Sequence, residues 1–284
     1  MTVEGAVAVR CTHITGDQRE TVERTVIEET GLTIYVNGHE LATLMCTPIA
    51  VEDLVLGFLI GEGIVSRPDQ VALLRPCVDE GLVNVRLVQP EVALPTRRIL
   101  TSGCSGGLTF DDLSGRHAPL ESTVRFSADR LAALMIEMQR SGPLHGNVWG
   151  MHTSGLSDGR TLLVVAEDVG RHNTIDKIWG ACLRRGIPTE DRLLLSTGRI
   201  SSEMLGKAAK MRVPLVASRT SATSLSVALA ESWGITLVGY LRGSHMDVYT
   251  RPERLEEGGA ESVSDRAEGN VADSDPTGRD AEQT

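Results

Sequence analysis

The sequence predicts an α/β fold in which a mostly parallel sheet is covered by helices and is preceded by a β-rich N-terminal region. Beyond residue 160, continuous apolar strands alternate with capped helices, which is typical of strands buried on both faces. Before that, an Asn-Gly turn between two apolar segments predicts a hairpin. Aromatic residues make up only 3% of the chain, so the core must be built mainly from aliphatic side chains.

Composition limits the function classes that fit the chain. Its 284 residues are 41% hydrophobic and 23% charged, as expected for a soluble protein of one large domain or two ordinary ones. Residues 256–284 hold nine acidic residues and two arginines, a net charge of −7 out of −10 for the chain. This acidic tail is expected to be disordered. The remaining body has no basic stripe, which argues against nucleic-acid binding.

The N-terminal half is expected to contain a loose segment over residues 1–21 and a β-rich region over residues 22–120. Asn37-Gly38 is a strong signal for a hairpin turn within residues 22–44. A helix follows, because Glu52 and Asp53 suit a first helical turn and Gly61 suits an end. Two further strands are predicted over residues 82–89 and 96–100.

The second region, residues 121–255, carries the strongest secondary-structure signals. Ser127 is predicted to cap a helix that runs to about Arg140. Asn173 is predicted as the N-cap of another helix, with Gly186 at its end. The predicted strands cover residues 161–168, 192–198, 213–219 and 235–243, and the helices between them cover residues 173–186, 201–211 and 221–234.

A ligand site is expected where these four strands end, because open α/β sheets bind ligands at the carboxyl ends of their strands. Each end carries an arginine beside a glycine or a hydroxyl residue, and guanidinium groups fit phosphate or carboxylate oxygens. Together they predict a site for a large anionic ligand such as a nucleotide diphosphate, although each arginine alone fits a surface ion pair. Ordinary dinucleotide and P-loop fingerprints are absent. The four are Arg171, Arg199, Arg219 and Arg242.

Two histidines lie near these strand ends. His172 follows an acid and an arginine at a strand–helix turn, which suits acid–base chemistry or a phosphate contact. His152 precedes a predicted strand, and for both residues a hydrogen-bonded structural role is an equal alternative. A deaminase zinc signature is missing, because Ser154 stands where that signature has glutamate and no C-x-x-C occurs. We therefore predict no metal bound by side chains.

The five cysteines are odd in number and widely spaced, which fits neither a disulfide framework nor a zinc site. The sequence has no secretory pattern and no apolar run long enough to span a membrane, so we expect a cytoplasmic protein without membrane contact. Cys46 and Cys182 lie in apolar segments and are predicted to belong to the core.

Cys104 differs from the other cysteines because it lies in the glycine- and serine-rich run TSGCSGG. Accessible backbone amides and the nearby Arg97 and Arg98 are expected to lower the pKa of its thiol. The resulting thiolate is suited to nucleophilic attack or to carrying a persulfide. The alternative is a thiol that is merely accessible.

Seven segments together resemble the FdhD/NarQ family of formate dehydrogenase accessory sulfurtransferases, over about residues 22–255. They include TSGCSGG around Cys104, VAEDVGRHNTIDK from Val165, STGRISSEM from Ser196 and GYLRGSH from Gly239. The resemblance implies a cytidine-deaminase-like α/β core with an N-terminal addition, in a cytoplasmic homodimer.

The resemblance also implies a function. Members take sulfur as a persulfide from a cysteine desulfurase and pass it to the molybdenum bis(molybdopterin guanine dinucleotide) cofactor, which formate dehydrogenase needs. The persulfide cysteine of the family corresponds to Cys104. The stretch that contacts the cofactor corresponds to Tyr240, Leu241, Arg242, Gly243, Ser244 and His245.

One departure from the family pattern keeps an alternative open. Many members carry C-x-x-C in this loop, but here Thr101 and Gly107 stand three residues on either side of Cys104. A single thiol can still accept and pass on sulfur, because each exchange needs one attacking sulfur. The alternative is a cofactor chaperone that transfers no sulfur. A hydrolase or deaminase, suggested by fold alone, is a weaker third interpretation.

Overall fold

The computed structural model describes residues 3–89, 99–100, 108–109, 117–142, 144, 148 and 150–256. The acidic tail from residue 257 onward therefore lies outside the described residues. In the first half of the chain the elements are β1 (Ala6–Thr15), β2 (Gln18–Ile27), β3 (Thr30–Val36), β4 (His39–Cys46), α1 (Val51–Gly61), β5 (Val71–Cys77), β6 (Leu82–Leu87), β7 (Ile99–Leu100) and β8 (Leu108–Thr109).

The second half holds the larger sheet and four of the five helices in the described residues. Its elements are β9 (Phe126–Ser127), α2 (Ala128–Ser141), β10 (His152–Ser157), β11 (Leu162–Asp168), α3 (Arg171–Arg185), β12 (Leu193–Ser196), α4 (Ser202–Lys210), β13 (Leu215–Ser218), α5 (Ser224–Trp233), β14 (Thr236–Arg242), β15 (His245–Thr250) and β16 (Leu255–Glu256).

The N-terminal sheet has four strands in the order β4-β3-β6-β5. Strands β3 and β4 form the predicted hairpin, and both turn residues adopt positive φ, 51° at Asn37 and 85° at Gly38. The strand predicted over residues 82–89 is confirmed as β6. Strand β5, which the sequence analysis does not predict, pairs antiparallel with β6 at the edge of this sheet.

The expectation of a loose segment over residues 1–21 is wrong for the greater part of its length. Strands β1 and β2 form an antiparallel two-stranded ribbon with ten paired positions. Nearly all of its side chains are exposed, and Ala6 is the only buried residue in either strand. A strand with so little burial lacks the alternation that identifies strands in sequence, which explains the error.

The larger sheet has six strands in the order β11-β10-β12-β13-β14-β15. All four predicted strands, β11 to β14, run in the same direction. The expectation of a mostly parallel sheet needs correction, however, because β10 and β15 are antiparallel to their neighbours. Three of the five neighbouring pairs are therefore antiparallel, and the fold is mixed α/β.

Both faces of this sheet are covered. On one face, α2 packs through Leu131, Leu134 and Met138 against side chains of the central strands. On the other face, α3, α4 and α5 pack in one continuous core that also includes α1 and the N-terminal sheet. Covering both faces removes apolar strand side chains from water, which drives the assembly of the two regions.

Helices α1 and α3 cross at unusually close range. A Cβ at Gly57 of α1 would overlap the carbonyl group of Asp176, and a Cβ at Gly180 of α3 would overlap that of Asp53. Because neither position tolerates a side chain, the two glycines allow the backbones to touch. This contact joins the N-terminal region to the helix that begins at the end of β11.

The helix ends follow the predicted signals with one exception. Ser127 accepts a hydrogen bond from the Arg130 amide, and Gly186 adopts the left-handed conformation at the end of α3. The prediction of Asn173 as an N-cap is wrong, because α3 begins at Arg171 and its N-cap is Gly170. No helix in the described residues is long and apolar enough to cross a membrane.

Candidate functional site

Four strand ends meet along one edge of the six-stranded sheet, which we call the rim. Strands β11, β12, β13 and β14 end here, and β10 begins here, with His152 opposite Asp168. Four strand intervals of about 4.8 Å separate β11 from β14, so the rim is about 19 Å wide. The structure therefore brings the predicted arginine-bearing segments to one edge. Their role in ligand binding stays a prediction.

A buried ion pair anchors the β11 end of the rim. The Lys177 ammonium lies 2.6 Å from the Asp168 carboxylate, and both side chains are almost completely buried. Asp168 also accepts hydrogen bonds from the Gly170 amide and the Asn173 side chain, at 2.7 and 2.8 Å. Lys177 donates to the carbonyl of Thr47 after β4. The pair thus holds the strand end, the start of α3 and the N-terminal sheet together.

Arg171 occupies a different environment from the other rim arginines. It is only 6% exposed, whereas Arg199, Arg219 and Arg242 are exposed. A Cβ at Gly198 would lie 2.9 Å from the Arg171 Cβ and 3.1 Å from the His152 Nδ1. Gly198 therefore allows Arg171 and His152 to pack beneath the β12 end. Three of the four predicted guanidinium groups remain open to a ligand.

Both rim histidines are held in the neutral form. Burial, together with the positive charge of Arg171, lowers the pKa of His152. Burial also lowers the pKa of His172, although the nearby Glu203 carboxylate opposes this effect. The His172 Nε2 lies 3.2 Å from the Ser201 hydroxyl and 3.9 Å from the Glu203 carboxylate. Neither imidazole adds positive charge to the rim at neutral pH.

Because these histidines are neutral in the folded protein, its free energy of unfolding should depend on pH. The unfolded chain takes up a proton on His172 near pH 6.5, whereas the folded protein does so only at lower pH. The free energy of unfolding should therefore fall as the pH drops from about 7.5 to 5.5. In His172→Gln this fall should be smaller, because only His152 of the two contributes. Urea denaturation at both pH values measures the free energy of unfolding of each variant.

The exposed His39 provides the control for this prediction. His39→Gln should keep the pH dependence of the unmodified protein. Equal pH dependence in His172→Gln and in the unmodified protein would show that His172 is not held neutral. In the unmodified protein Glu203 does not titrate in this window, since its contact with His172 lowers its pKa to about 2.

The β14 end of the rim contains the stretch that the family resemblance assigns to the cofactor. Tyr240 has a φ of 48°, and the β14–β15 pairing is irregular between Gly239 and Arg242. This irregularity leaves the side chains of Tyr240 and Arg242 exposed, with the Arg242 guanidinium 6.0 Å from the centre of the Tyr240 ring. Leu241 is buried, so only its backbone can face a ligand, and Gly243, Ser244 and His245 are exposed.

A groove of about 370 Å³ lies between this stretch and the last turns of α2. Arg219 and Arg242 line one side, and Gln139 and Arg140 of α2 line the other. The Arg242 Nε donates to the Arg219 carbonyl at 3.3 Å, which fixes one arginine against the other strand end. Sequence reasoning missed Gln139 and Arg140, because helical periodicity alone does not show which strand ends a helix faces.

Cys104 lies outside the described residues. Strands β7 and β8, on either side of it in the sequence, pair antiparallel through Leu100 and Leu108. The predictions for two other cysteines are confirmed: Cys46 and Cys182 are buried, and burial raises the pKa of their thiols to about 12 and about 11. Such thiols carry little thiolate at neutral pH. Cys11 is exposed on β1.

No group of three or more metal-binding side chains comes together in the part of the chain that the structure describes. The rim instead combines exposed guanidinium groups with three helix starts. Helices α3, α4 and α5 each begin just after a strand ends at the rim. Helix N-termini carry partial positive charge. The site is therefore suited to an anion rather than to a cation.

Comparison with known proteins gives a consistent result. The model of the FdhD/NarQ family matches residues 27–256. The chain is 38% identical to Sulfur carrier protein FdhD of Bacillus subtilis (strain 168), over 83% of this chain and 92% of that protein. It is 34% identical to Sulfur carrier protein FdhD of Staphylococcus aureus (strain MRSA252), over 81% and 88%.

A solved structure shows the same fold. A protein from Desulfotalea psychrophila, described as a formate dehydrogenase accessory protein, superposes with a TM-score of 0.74 at 28% sequence identity. The match covers 89% of this chain and 100% of the other. Together with the family model, which spans most of the sequence, these likenesses show that this chain belongs to the FdhD/NarQ family.

Proposed function

We propose that this protein is a sulfurtransferase that carries sulfur for the maturation of formate dehydrogenase. The observation that carries the proposal is the similarity, over 83% of the chain, to a relative named Sulfur carrier protein FdhD. The accessory-protein description of the structural neighbour links the proposal to formate dehydrogenase. Cys104 is the proposed carrier, a cysteine desulfurase the donor, and the molybdenum bis(molybdopterin guanine dinucleotide) cofactor the acceptor.

The proposed loading step is a thiol exchange at Cys104. Its thiolate attacks the outer sulfur of the desulfurase persulfide, the sulfur–sulfur bond of the donor breaks, and the donor cysteine leaves as a thiolate. One sulfur–sulfur bond forms as another breaks, so this step needs no external oxidant. Passing the outer sulfur on as a neutral sulfur atom would restore the Cys104 thiolate, and the acceptor would supply the two electrons that reduce this sulfur to sulfide. The buried thiols of Cys46 and Cys182 are unsuited to this role, because neither is accessible.

The rim is the proposed docking surface for the cofactor. Its width of about 19 Å suits an elongated ligand. The exposed Arg199, Arg219 and Arg242 can hold phosphate oxygens through charge-assisted hydrogen bonds. The starts of α4 and α5 add backbone dipoles of the same sign at the β12 and β13 ends. The remaining predictions, a cytidine-deaminase-like core, a homodimer and a cytoplasmic location, belong to the same proposal.

A second candidate is a cofactor chaperone that transfers no sulfur. The observation that favours it is the presence of Thr101 and Gly107 where many family members carry a second cysteine. The chaperone would use the rim in the same way but would not need the Cys104 thiol. The two candidates therefore differ in whether the protein takes up sulfur.

Intact-protein mass spectrometry after incubation with a cysteine desulfurase and cysteine separates the candidates. We expect the protein to gain the mass of one sulfur atom, and a reductant should remove it. Cys104→Ala should not gain this mass. Cys11→Ala should still gain it, because Cys11, although exposed, lies on the β1–β2 ribbon and not in the segment that the family resemblance assigns to the persulfide. No gain in the unmodified protein would contradict sulfur transfer. A gain that persists in Cys104→Ala would place the carrier elsewhere.

A further inference from the structure

The groove at the β14 end of the rim collects positive charge from three separate elements. Arg140 comes from the last turn of α2, Arg219 follows β13, and Arg242 ends β14. None of the described residues that line the groove carries a carboxylate. Three cations in one concavity repel each other unless an anion occupies it. The groove therefore favours a ligand with several negative charges.

Arg140 forms no salt bridge with another described residue, although Glu137 lines an adjacent cavity beside it. The acid one turn before it on α2, Glu137, lies 3.1 Å from the Arg130 guanidinium. Arg140 itself is exposed. On the opposite wall, the Arg242 side chain is held by its hydrogen bond to the Arg219 carbonyl. One wall thus supplies two adjacent guanidinium groups and the other supplies a third.

We propose that Arg140 determines the specificity of this groove by binding the second phosphate of a nucleoside diphosphate group, while Arg219 and Arg242 bind the first. In a guanine dinucleotide both phosphates are esterified and carry one negative charge each, whereas a free nucleoside diphosphate used as a probe also carries a charged terminal phosphate. Three guanidinium groups can donate to the oxygens of both phosphates. This inference rests on the proposed function, in which the ligand ends in a guanine dinucleotide, and it adds a residue of α2 to the stretch from Tyr240 to His245.

Isothermal titration calorimetry with two probes, guanosine diphosphate and guanosine monophosphate, tests the role of Arg140. In Arg140→Gln we expect the affinity for the diphosphate to fall by roughly tenfold, the loss of one charge-assisted contact in a partly open groove. The affinity for the monophosphate should change by less than about threefold. A general disturbance of α2 would lower the affinity for both probes equally. A larger loss of affinity for the diphosphate than for the monophosphate therefore identifies recognition of the second phosphate.

Arg125→Gln is the control, because Arg125 is an exposed arginine just before α2 that does not line this groove. It should bind both probes as the unmodified protein does. Equal losses for the two probes in Arg140→Gln, or no loss for either, would overturn the inference. So would a failure of the unmodified protein to bind the diphosphate.

The outcome stays distinguishable from that of the proposed function. Arg140→Gln should still take up one sulfur from the desulfurase, because Arg140 contributes nothing to the thiol exchange at Cys104. If the unmodified protein takes up no sulfur but Arg140→Gln selectively loses affinity for the diphosphate, sulfur transfer is refuted and the role of the groove is supported. The reverse result would leave sulfur transfer standing without a role for Arg140.

Discussion

Replacing Cys104 with serine is expected to reduce the activation of formate dehydrogenase to the level seen without the protein. Serine is close to cysteine in size, so the fold should be preserved, but its hydroxyl group cannot form a persulfide. The thiolate is the form that attacks a persulfide sulfur. Cys46 and Cys182 cannot substitute for Cys104, because both are buried. Activity of formate dehydrogenase produced with each variant measures the effect.

Two further variants make this result decisive. Cys11→Ser should activate the enzyme normally, because Cys11 lies on the exposed β1–β2 ribbon. Arg242→Gln should reduce activation under either proposed function, because both place the cofactor at the rim. Full activation by Cys104→Ser together with loss in Arg242→Gln would contradict sulfur transfer and support the chaperone.

Replacing Lys177 with methionine is expected to destabilise the protein by about 3–5 kcal/mol. Lys177 and Asp168 form a pair 2.6 Å apart that is almost completely buried. Removing the ammonium leaves the Asp168 carboxylate in the protein interior without its compensating charge, and it also leaves the Thr47 carbonyl without this donor. Urea denaturation monitored by circular dichroism gives the free energy of unfolding.

A double variant separates the loss of the charge from the loss of packing. Lys177→Met combined with Asp168→Asn should recover part of the lost stability, because the neutral amide leaves no uncompensated charge. The control is Arg212→Gln, whose exposed pair with Glu190 should contribute less than about 1 kcal/mol. Losses of similar size in Lys177→Met and Arg212→Gln would show that the buried pair does not hold this edge together.

The secondary structure of the second region could be predicted closely because its signals are local. The apolar strands and the caps at Ser127, Gly186 and Gly234 lie where the sequence indicates. The error at Asn173 is informative. Its side chain has the chemistry of an N-cap, but it donates to Asp168 and to the Met45 carbonyl, 128 residues away in sequence. A long-range partner of this kind cannot be read from local pattern.

The candidate site was also only partly predictable from the sequence. The four arginine-bearing strand ends could be predicted to share an edge, because codirectional strands end on the same side of a sheet. Which guanidinium groups face solvent could not be predicted. Arg171 is buried beside Gly198, and Arg140 enters the site from a helix whose sequence indicates only core packing. Exposure depends on what packs against a residue from elsewhere in the chain.

By itself, the sequence determined the family, the codirectional strands and the capped helices, and it predicts that the Cys104 thiol differs from those of the buried cysteines. Only the tertiary structure decided that β10 lies between β11 and β12, that the N-terminal ribbon forms, and that α2 closes the arginine groove. The physical reason is range: turns, caps and hydrophobic periods act over a few residues, whereas strand order and burial result from contacts between segments far apart in sequence.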